Sequence, residues 1–125
     1  MTIKAVTFDL WDTIVDDDSD EPVRRQKGLR SKREERRHQI WQALNAIEPI
    51  EYDAVALAYD TAEAGFNVVW KECHINWTVE QRLKVVLNGL GRQVPEEVFQ
   101  DLVIGHSRME VEIPPLLNPG IAEAL

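Results

Sequence analysis

The residues best suited to chemistry lie near the N-terminus, in the stretch AVTFDLWDTIVDDD of residues 5–18. Asp9 comes directly after a run of apolar and β-branched residues, and Asp12 and Thr13 follow it closely. A carboxylate at the C-terminal end of a strand in an α/β sheet lies where ligands bind, and it can act as a nucleophile. The alternative interpretation is that Asp9 only starts a turn.

A second candidate group consists of three arginines within RSKREERR, residues 30–37. At helical spacing, Arg30, Arg33 and Arg37 form a stripe that continues into the apolar face of the same predicted helix. Guanidinium groups bind carboxylates and phosphates in bidentate fashion, so we expect these arginines to bind a small anionic substrate. The alternative is a solvated helix face on which neighbouring glutamates pair with the arginines.

Composition limits the classes of partner. The 125 residues carry a net charge of −8, which disfavours binding to nucleic acid and to anionic membrane surfaces. No apolar run reaches the ~20 residues that a membrane span needs, and the N-terminus has no signal-peptide pattern, so a cytoplasmic location is expected. The single cysteine, Cys73, lies on the apolar stripe of a predicted helix, which favours a buried position.

The pattern of apolar residues predicts one strand followed by helices. Residues 3–8 are nearly continuous in apolar and β-branched character, as in a strand buried on both faces. The predicted helices span residues 24–47, 51–75, 78–91 and 95–113, and the last two begin at a possible capping box of Thr78 with Gln81 and at Pro95. Asn118 and Pro119 resemble the start of a fifth helix. Four amphipathic helices with short connections indicate an antiparallel bundle.

A lone strand cannot satisfy its own backbone N–H and C=O groups. We therefore expect this chain to be the N-terminal part of a larger α/β protein. The predicted divisions are a first strand and loop at 1–15, an acidic hinge at 16–23, a helical cap at 24–113, and a return segment to the core at 114–125.

The motif FDLWDTI, residues 8–14, resembles the first motif of the haloacid dehalogenase superfamily, in which an apolar strand ends in an aspartate nucleophile. Many members place a four-helix cap directly after that motif. The segments WTVEQRLKVVLNGLG (77–91) and IPPLLNPGIAEAL (113–125) are similar to the end of such a cap and its return to the core. The resemblance implies a parent α/β fold with a Rossmann-like core, whose later motifs would follow Leu125.

The resemblance also implies roles for individual residues. Asp9 matches the nucleophile, and Thr13 matches the threonine that holds the loop. Trp11 occupies the position of the general acid/base of phosphatases, and an indole cannot shuttle a proton at neutral pH. Members that dehalogenate carry an aromatic residue there, so phosphatase and 2-haloacid dehalogenase chemistry both stay open. A phosphatase would bind Mg²⁺ through Asp9 and the backbone carbonyl of Trp11, whereas a dehalogenase would need no metal.

The sequence thus predicts a hydrolase that acts on a small anionic substrate through an aspartyl ester. Residues 1–125 alone are expected to be inactive, because the lysine and the acidic pair of the later motifs would lie beyond them. The alternative is a non-catalytic helical bundle that mediates self-association or protein interaction. A homodimer, formed through the unpaired strand edges or the apolar C-terminal segment, is a further expectation.

Overall fold

The computed structural model describes residues 2–124, and these are mainly helical, which confirms the predicted fold class for this chain. None of the helices in the described part is long and apolar enough to cross a membrane. Along the chain the helices are α1 (Glu21–Gln26), α2 (Lys32–Ile47), α3 (Tyr52–Cys73), α4 (Val79–Gly89), α5 (Glu96–Glu112) and α6 (Ile121–Ala124).

The strand predicted at residues 3–8 is not formed. Residues 2–10 have no regular secondary structure and are exposed. Within the described residues, β pairing is limited to two isolated bridges, one between Trp11 and Val15 and one between Val15 and Leu117. An extended segment becomes a strand only when a neighbour accepts and donates its backbone hydrogen bonds, and residues 3–8 have no such neighbour within residues 2–124.

The prediction of a single helix at residues 24–47 is also wrong, because this part of the chain forms two helices, α1 and α2. Gly28 adopts a left-handed conformation with φ of 71°. Its N–H donates to the Arg25 carbonyl at 3.1 Å, and the N–H of Leu29 donates to the Arg24 carbonyl at 2.9 Å. This is the Schellman arrangement that ends a helix, and glycine favours it because it has no Cβ.

The remaining helix boundaries agree closely with the predictions. Thr78 and Gln81 form the reciprocal capping box at the start of α4. Gly91, with φ of 63°, follows the end of that helix. One expectation fails here: Cys73 is exposed, because it lies at the C-terminal end of α3, beyond Phe66, the last buried residue of that helix.

Two compact units make up the chain. One combines Met1–Ser31 with Glu110–Leu125, and the other is the helical unit Lys32–Met109. The helical unit falls within the predicted cap of residues 24–113, but it begins later because α1 belongs with the N-terminal loop.

The helical unit is built from antiparallel neighbours. Trp41 of α2 contacts Tyr52 at the start of α3, with ring centroids 6.1 Å apart, while Arg33 at the start of α2 reaches Asp60 further along α3. In the core of the unit, Ile40, Leu44 and Val55 are fully buried, alongside a larger apolar cluster from α2, α3, α4 and α5. Each such side chain contributes about 1.5–3 kcal/mol through burial, so this cluster is the main source of stability within the unit.

An arginine closes one end of the helical unit. Nη2 of Arg92 donates to the carbonyl oxygens of Leu44 at 2.9 Å and Glu48 at 3.1 Å. The last carbonyl groups of a helix have no partner within the helix, and a cation also complements the partial negative charge at this terminus. Arg92 therefore caps the C-terminus of α2.

Candidate functional site

The loop after residue 8 brings together the two predicted catalytic residues. Oγ1 of Thr13 donates a hydrogen bond to Oδ2 of Asp9 at 3.3 Å, and both side chains are exposed. The chain turns tightly between them, because the N–H groups of Ile14 and Val15 both donate to the Leu10 carbonyl, at 2.9 and 3.1 Å. The turn leaves the Asp9 carboxylate accessible from solvent.

The second aspartate of the motif has a different task. Asp12 adopts a left-handed conformation with φ of 57°, which Asn and Asp tolerate better than most residues. Its Oδ1 accepts the backbone N–H of Asp17 at 3.0 Å. Asp12 therefore shapes the loop, and Asp9 is the aspartate of this motif that pairs with the threonine.

A distant part of the same unit holds this loop in place. Nδ2 of Asn118 donates to the carbonyl oxygens of Asp12 at 2.9 Å and Thr13 at 3.0 Å, and the Asn118 N–H donates to the Ile14 carbonyl at 2.9 Å. The N–H of Asp16 also donates to the Leu116 carbonyl at 2.7 Å. From the sequence, Asn118 is predicted only to start a helix. Its hydrogen bonds to the Asp9 loop could not be predicted, because the two segments lie far apart in the sequence.

Trp11 lies at the surface of the loop, with 41% of the residue exposed. The resemblance assigns a magnesium ligand to its backbone carbonyl and another to Asp9. Among the described residues, no group of three or more His, Cys, Asp and Glu side chains could hold a metal ion. Mg²⁺ binding at Asp9 and the Trp11 carbonyl therefore stays a prediction of the resemblance.

The predicted substrate-binding arginines divide between the two units. Arg30 lies between α1 and α2, outside either helix, and its carbonyl oxygen accepts Nε of Arg24 at 2.8 Å. Arg33 and Arg37 lie on α2 in the helical unit, as the spacing predicts. The break at Gly28 thus removes Arg30 from the helical stripe of the other two.

Arg33 and Arg37 converge on one carboxylate of α3, that of Asp60. Nη2 of Arg37 lies 2.6 Å from Oδ2 of Asp60, its Nε lies 3.0 Å from Oδ1, and Nη2 of Arg33 lies 2.9 Å from Oδ1. Nη1 of Arg37 also donates to Glu34 at 2.6 Å. Hydrogen bonding from Arg37 lowers the pKa of Asp60, so this carboxylate stays ionised as an anchor between α2 and α3.

The two guanidinium groups differ in accessibility. The Arg37 side chain is 13% exposed, whereas the Arg33 side chain is 59% exposed beside a polar pocket that Asp60, Glu63 and Asn67 also line. Arg37 therefore mainly ties α2 to α3, and Arg33 is the one of the pair that an anion in solution can reach. Asp60 was not identified from the sequence, because pairing across helices depends on their register.

No family model, curated protein or solved structure matches the chain. The resemblance to the haloacid dehalogenase superfamily therefore rests on the motif at residues 8–14 and on the order of the elements that follow it.

Proposed function

We propose that this chain carries the nucleophile loop and helical cap of a cytoplasmic haloacid dehalogenase-like hydrolase. The substrate class is a small anionic molecule, and the reaction passes through an ester of Asp9. The observation that supports this proposal is the hydrogen bond from Thr13 to the exposed Asp9 carboxylate, in a loop that Asn118 clamps from the far end of the chain.

In the proposed reaction, a carboxylate oxygen of Asp9 attacks phosphorus or carbon. A new O–P or O–C bond forms, and the bond to the leaving group breaks with its electron pair on that group. Water then hydrolyses the ester and regenerates the carboxylate. The Thr13 hydroxyl orients the attacking carboxylate, which limits the geometries that it can adopt before attack.

The side chain at position 11 determines which leaving groups are suitable. An indole cannot donate a proton to a leaving oxygen at neutral pH. Trp11 therefore favours groups that depart without protonation, which are halide in a 2-haloacid dehalogenase or a stable aryl oxide in a phosphatase reaction. In the phosphatase case, Mg²⁺ at Asp9 and the Trp11 carbonyl would neutralise charge on the phosphate.

The arginines would supply substrate binding in this proposal, and Arg33 is the strongest candidate of the three. It is largely exposed, and a bidentate guanidinium suits either a carboxylate or a phosphate. An anion at Arg33 must compete with the ion pair to Asp60, however. Arg33→Ala is therefore expected to raise KM, and a matched Lys84→Ala change, on α4, should leave KM unaltered.

The proposal is tested with protein expressed from the whole reading frame that contains residues 1–125. Hydrolysis of an aryl phosphate with Mg²⁺ and of a 2-chloro acid is measured for the unchanged protein, for Asp9→Asn and for Asp16→Asn. We expect Asp9→Asn to abolish turnover and the exposed Asp16→Asn to retain it. Equal activity of Asp9→Asn, or no turnover of either substrate class, would favour the non-catalytic helical module.

A further inference from the structure

Asn118 donates hydrogen bonds to three consecutive carbonyl groups of the Asp9 loop. Nδ2 of its side chain donates to the carbonyl oxygens of Asp12 at 2.9 Å and Thr13 at 3.0 Å. Its backbone N–H donates to the Ile14 carbonyl at 2.9 Å. Carbonyl oxygens only accept hydrogen bonds, and the amide nitrogen of asparagine carries two donors, so one side chain serves both of them. Asn118 therefore fixes the peptide groups on both sides of Thr13.

A tight turn directly after Asn118 holds this residue in place. Residues 118–121 read Asn-Pro-Gly-Ile, and the N–H of Ile121 donates to the Asn118 carbonyl at 3.2 Å. Gly120 has a left-handed φ of 82°, which a type II turn requires at its third residue. Pro119 occupies the second residue of the turn, where its fixed φ is favourable. The three residues that follow Asn118 thus set its position.

We infer that Asn118 is a positioning residue for the attack by Asp9, and that it acts through Thr13. This inference rests on the proposed hydrolase function. When the peptide groups on both sides of Thr13 are held, the direction of its Cα–Cβ bond is also held. Rotation about χ1 then decides whether Oγ1 of Thr13 reaches Oδ2 of Asp9, which it does at 3.3 Å.

The contact between Thr13 and Asp9 needs such support. Hydrogen bonds between two oxygen atoms are usually about 2.7–2.8 Å long, so a contact of 3.3 Å is a weak one. Both side chains are also exposed, and water competes for the Thr13 hydroxyl and for the carboxylate. The shorter bonds from Asn118 therefore hold the loop, and the Thr13 hydroxyl transmits that order to Asp9.

A carboxylate at position 118 cannot replace the amide. An ionised aspartate only accepts hydrogen bonds, so Asn118→Asp would place its oxygens against the carbonyl oxygens of Asp12 and Thr13. The two side chains have nearly the same shape, but two hydrogen bonds become two repulsive contacts. Asn118→Ala removes the same two bonds without adding repulsion, so Asn118→Asp should be the more harmful change.

Steady-state kinetics test this inference, with protein expressed from the whole reading frame and with an aryl phosphate plus Mg²⁺ or a 2-chloro acid as substrate. We expect Asn118→Ala to lower kcat by about 10- to 100-fold, because a small misplacement of reacting groups is enough for such a loss. KM should stay unchanged, since Asn118 is not proposed to contact the substrate. Asn118→Asp should lower kcat further.

Ser19→Ala is the matched control. It removes the hydrogen bond from the N–H of Leu116 to Oγ of Ser19 at 2.8 Å, which joins the same two segments of the chain without contacting Thr13. A merely structural role of Asn118 would give both variants a similar kcat. Positioning through Thr13 instead predicts that Ser19→Ala keeps the kcat of the unchanged protein.

Substitutions at Thr13 show whether Asn118 acts through its hydroxyl. Thr13→Val keeps the shape of the side chain and removes the hydroxyl, so Asn118→Ala should lower kcat little further in that background. Independent effects of the two changes would multiply instead. Thr13→Ser keeps the hydroxyl and should retain the full sensitivity to Asn118→Ala.

Amide hydrogen exchange gives a second measurement that does not depend on turnover. The N–H groups of Ile14 and Val15 both donate to the Leu10 carbonyl and report the order of the loop. We expect these two groups to exchange faster in Asn118→Ala than in the unchanged protein.

Three results would overturn the inference: an unchanged kcat in Asn118→Ala, effects of Asn118→Ala and Thr13→Val that multiply, or unchanged exchange at Ile14 and Val15. Each of these can occur while Asp9→Asn still abolishes turnover, which leaves the hydrolase proposal intact. Activity retained in Asp9→Asn, or absent from the unchanged protein, would overturn the hydrolase proposal and the role of Asn118 with it.

Discussion

Acidification is expected to destabilise the helical unit through His106, a histidine of α5. Its side chain is buried, with 5% of the residue exposed, and the ring is hydrogen-bonded to the backbone of Arg36. Nε2 is buried with no hydrogen-bond partner among the described residues. Burial, and secondly the positive charge of Arg36, lower the pKa of His106 from 6.5 to about 4.

The sign and size of the effect follow from this pKa. Because the pKa in the folded state lies below that in the unfolded state, the unfolded chain binds the proton more tightly. Stability at pH 7 is unaffected, and it falls as the pH drops from 6.5 through about 4. At about 1.36 kcal/mol per pKa unit, the loss that His106 causes is about 3 kcal/mol once the pH lies below the folded-state pKa.

The measurement is urea unfolding followed by circular dichroism, at pH 7 and at several lower pH values down to 3. The unchanged protein is compared with His106→Gln, which cannot titrate, and with His74→Asn, a change at an exposed histidine that has a left-handed backbone. Carboxylates also titrate in this range, so the difference between proteins is the relevant quantity. We expect His106→Gln to lose about 3 kcal/mol less than the other two, whereas equal losses would refute a buried neutral His106.

Three further changes test the packing of the helical unit by urea unfolding. Leu44→Ala, at a fully buried position, should cost about 2–5 kcal/mol because it leaves a cavity, and a loss below about 1 kcal/mol would contradict the described core. Thr78→Ala should lower the free energy of unfolding by about 1 kcal/mol because the capping box is lost, whereas Thr78→Ser keeps the hydroxyl and should retain most of that stability. A double-mutant cycle of Arg37→Ala with Asp60→Ala should give a coupling of about 1 kcal/mol, since the contact is bidentate and Arg37 is shielded; zero coupling would contradict the role of this pair in tying α2 to α3.

The sequence was sufficient to predict helices whose signals are local. The strict spacing of the core stripe predicts α3 within a few residues, and Thr78 with Gln81 predicts the start of α4 because a capping box is contained in four residues. Gly28 was also a local signal. The helix predicted at residues 24–47 nevertheless runs through it, because the first half of that segment is charged, and charged residues do not report helix continuity as buried apolar residues do.

The features that the sequence could not supply depend on partners far away along the chain. Residues 3–8 have strand composition, yet they form no strand without neighbours to pair with. Asp60 is 23 residues from Arg37, and Asn118 is 106 residues from Asp12. Both contacts are set by how the elements pack, so spacing within a segment gives no indication of them.

The central claim is that Asp9 forms a covalent ester with the substrate, and a trapping experiment tests it most directly. Protein expressed from the whole reading frame is mixed with excess 2-chloro acid or aryl phosphate, quenched in acid and digested with trypsin. Cleavage after Lys4 and Arg24 releases residues 5–24, and fragmentation of this peptide locates any added group among its aspartates. The account predicts an acyl or phosphoryl adduct on Asp9 that is absent from Asp9→Asn; turnover without an adduct, or an adduct on Asp12 or another residue, would contradict it.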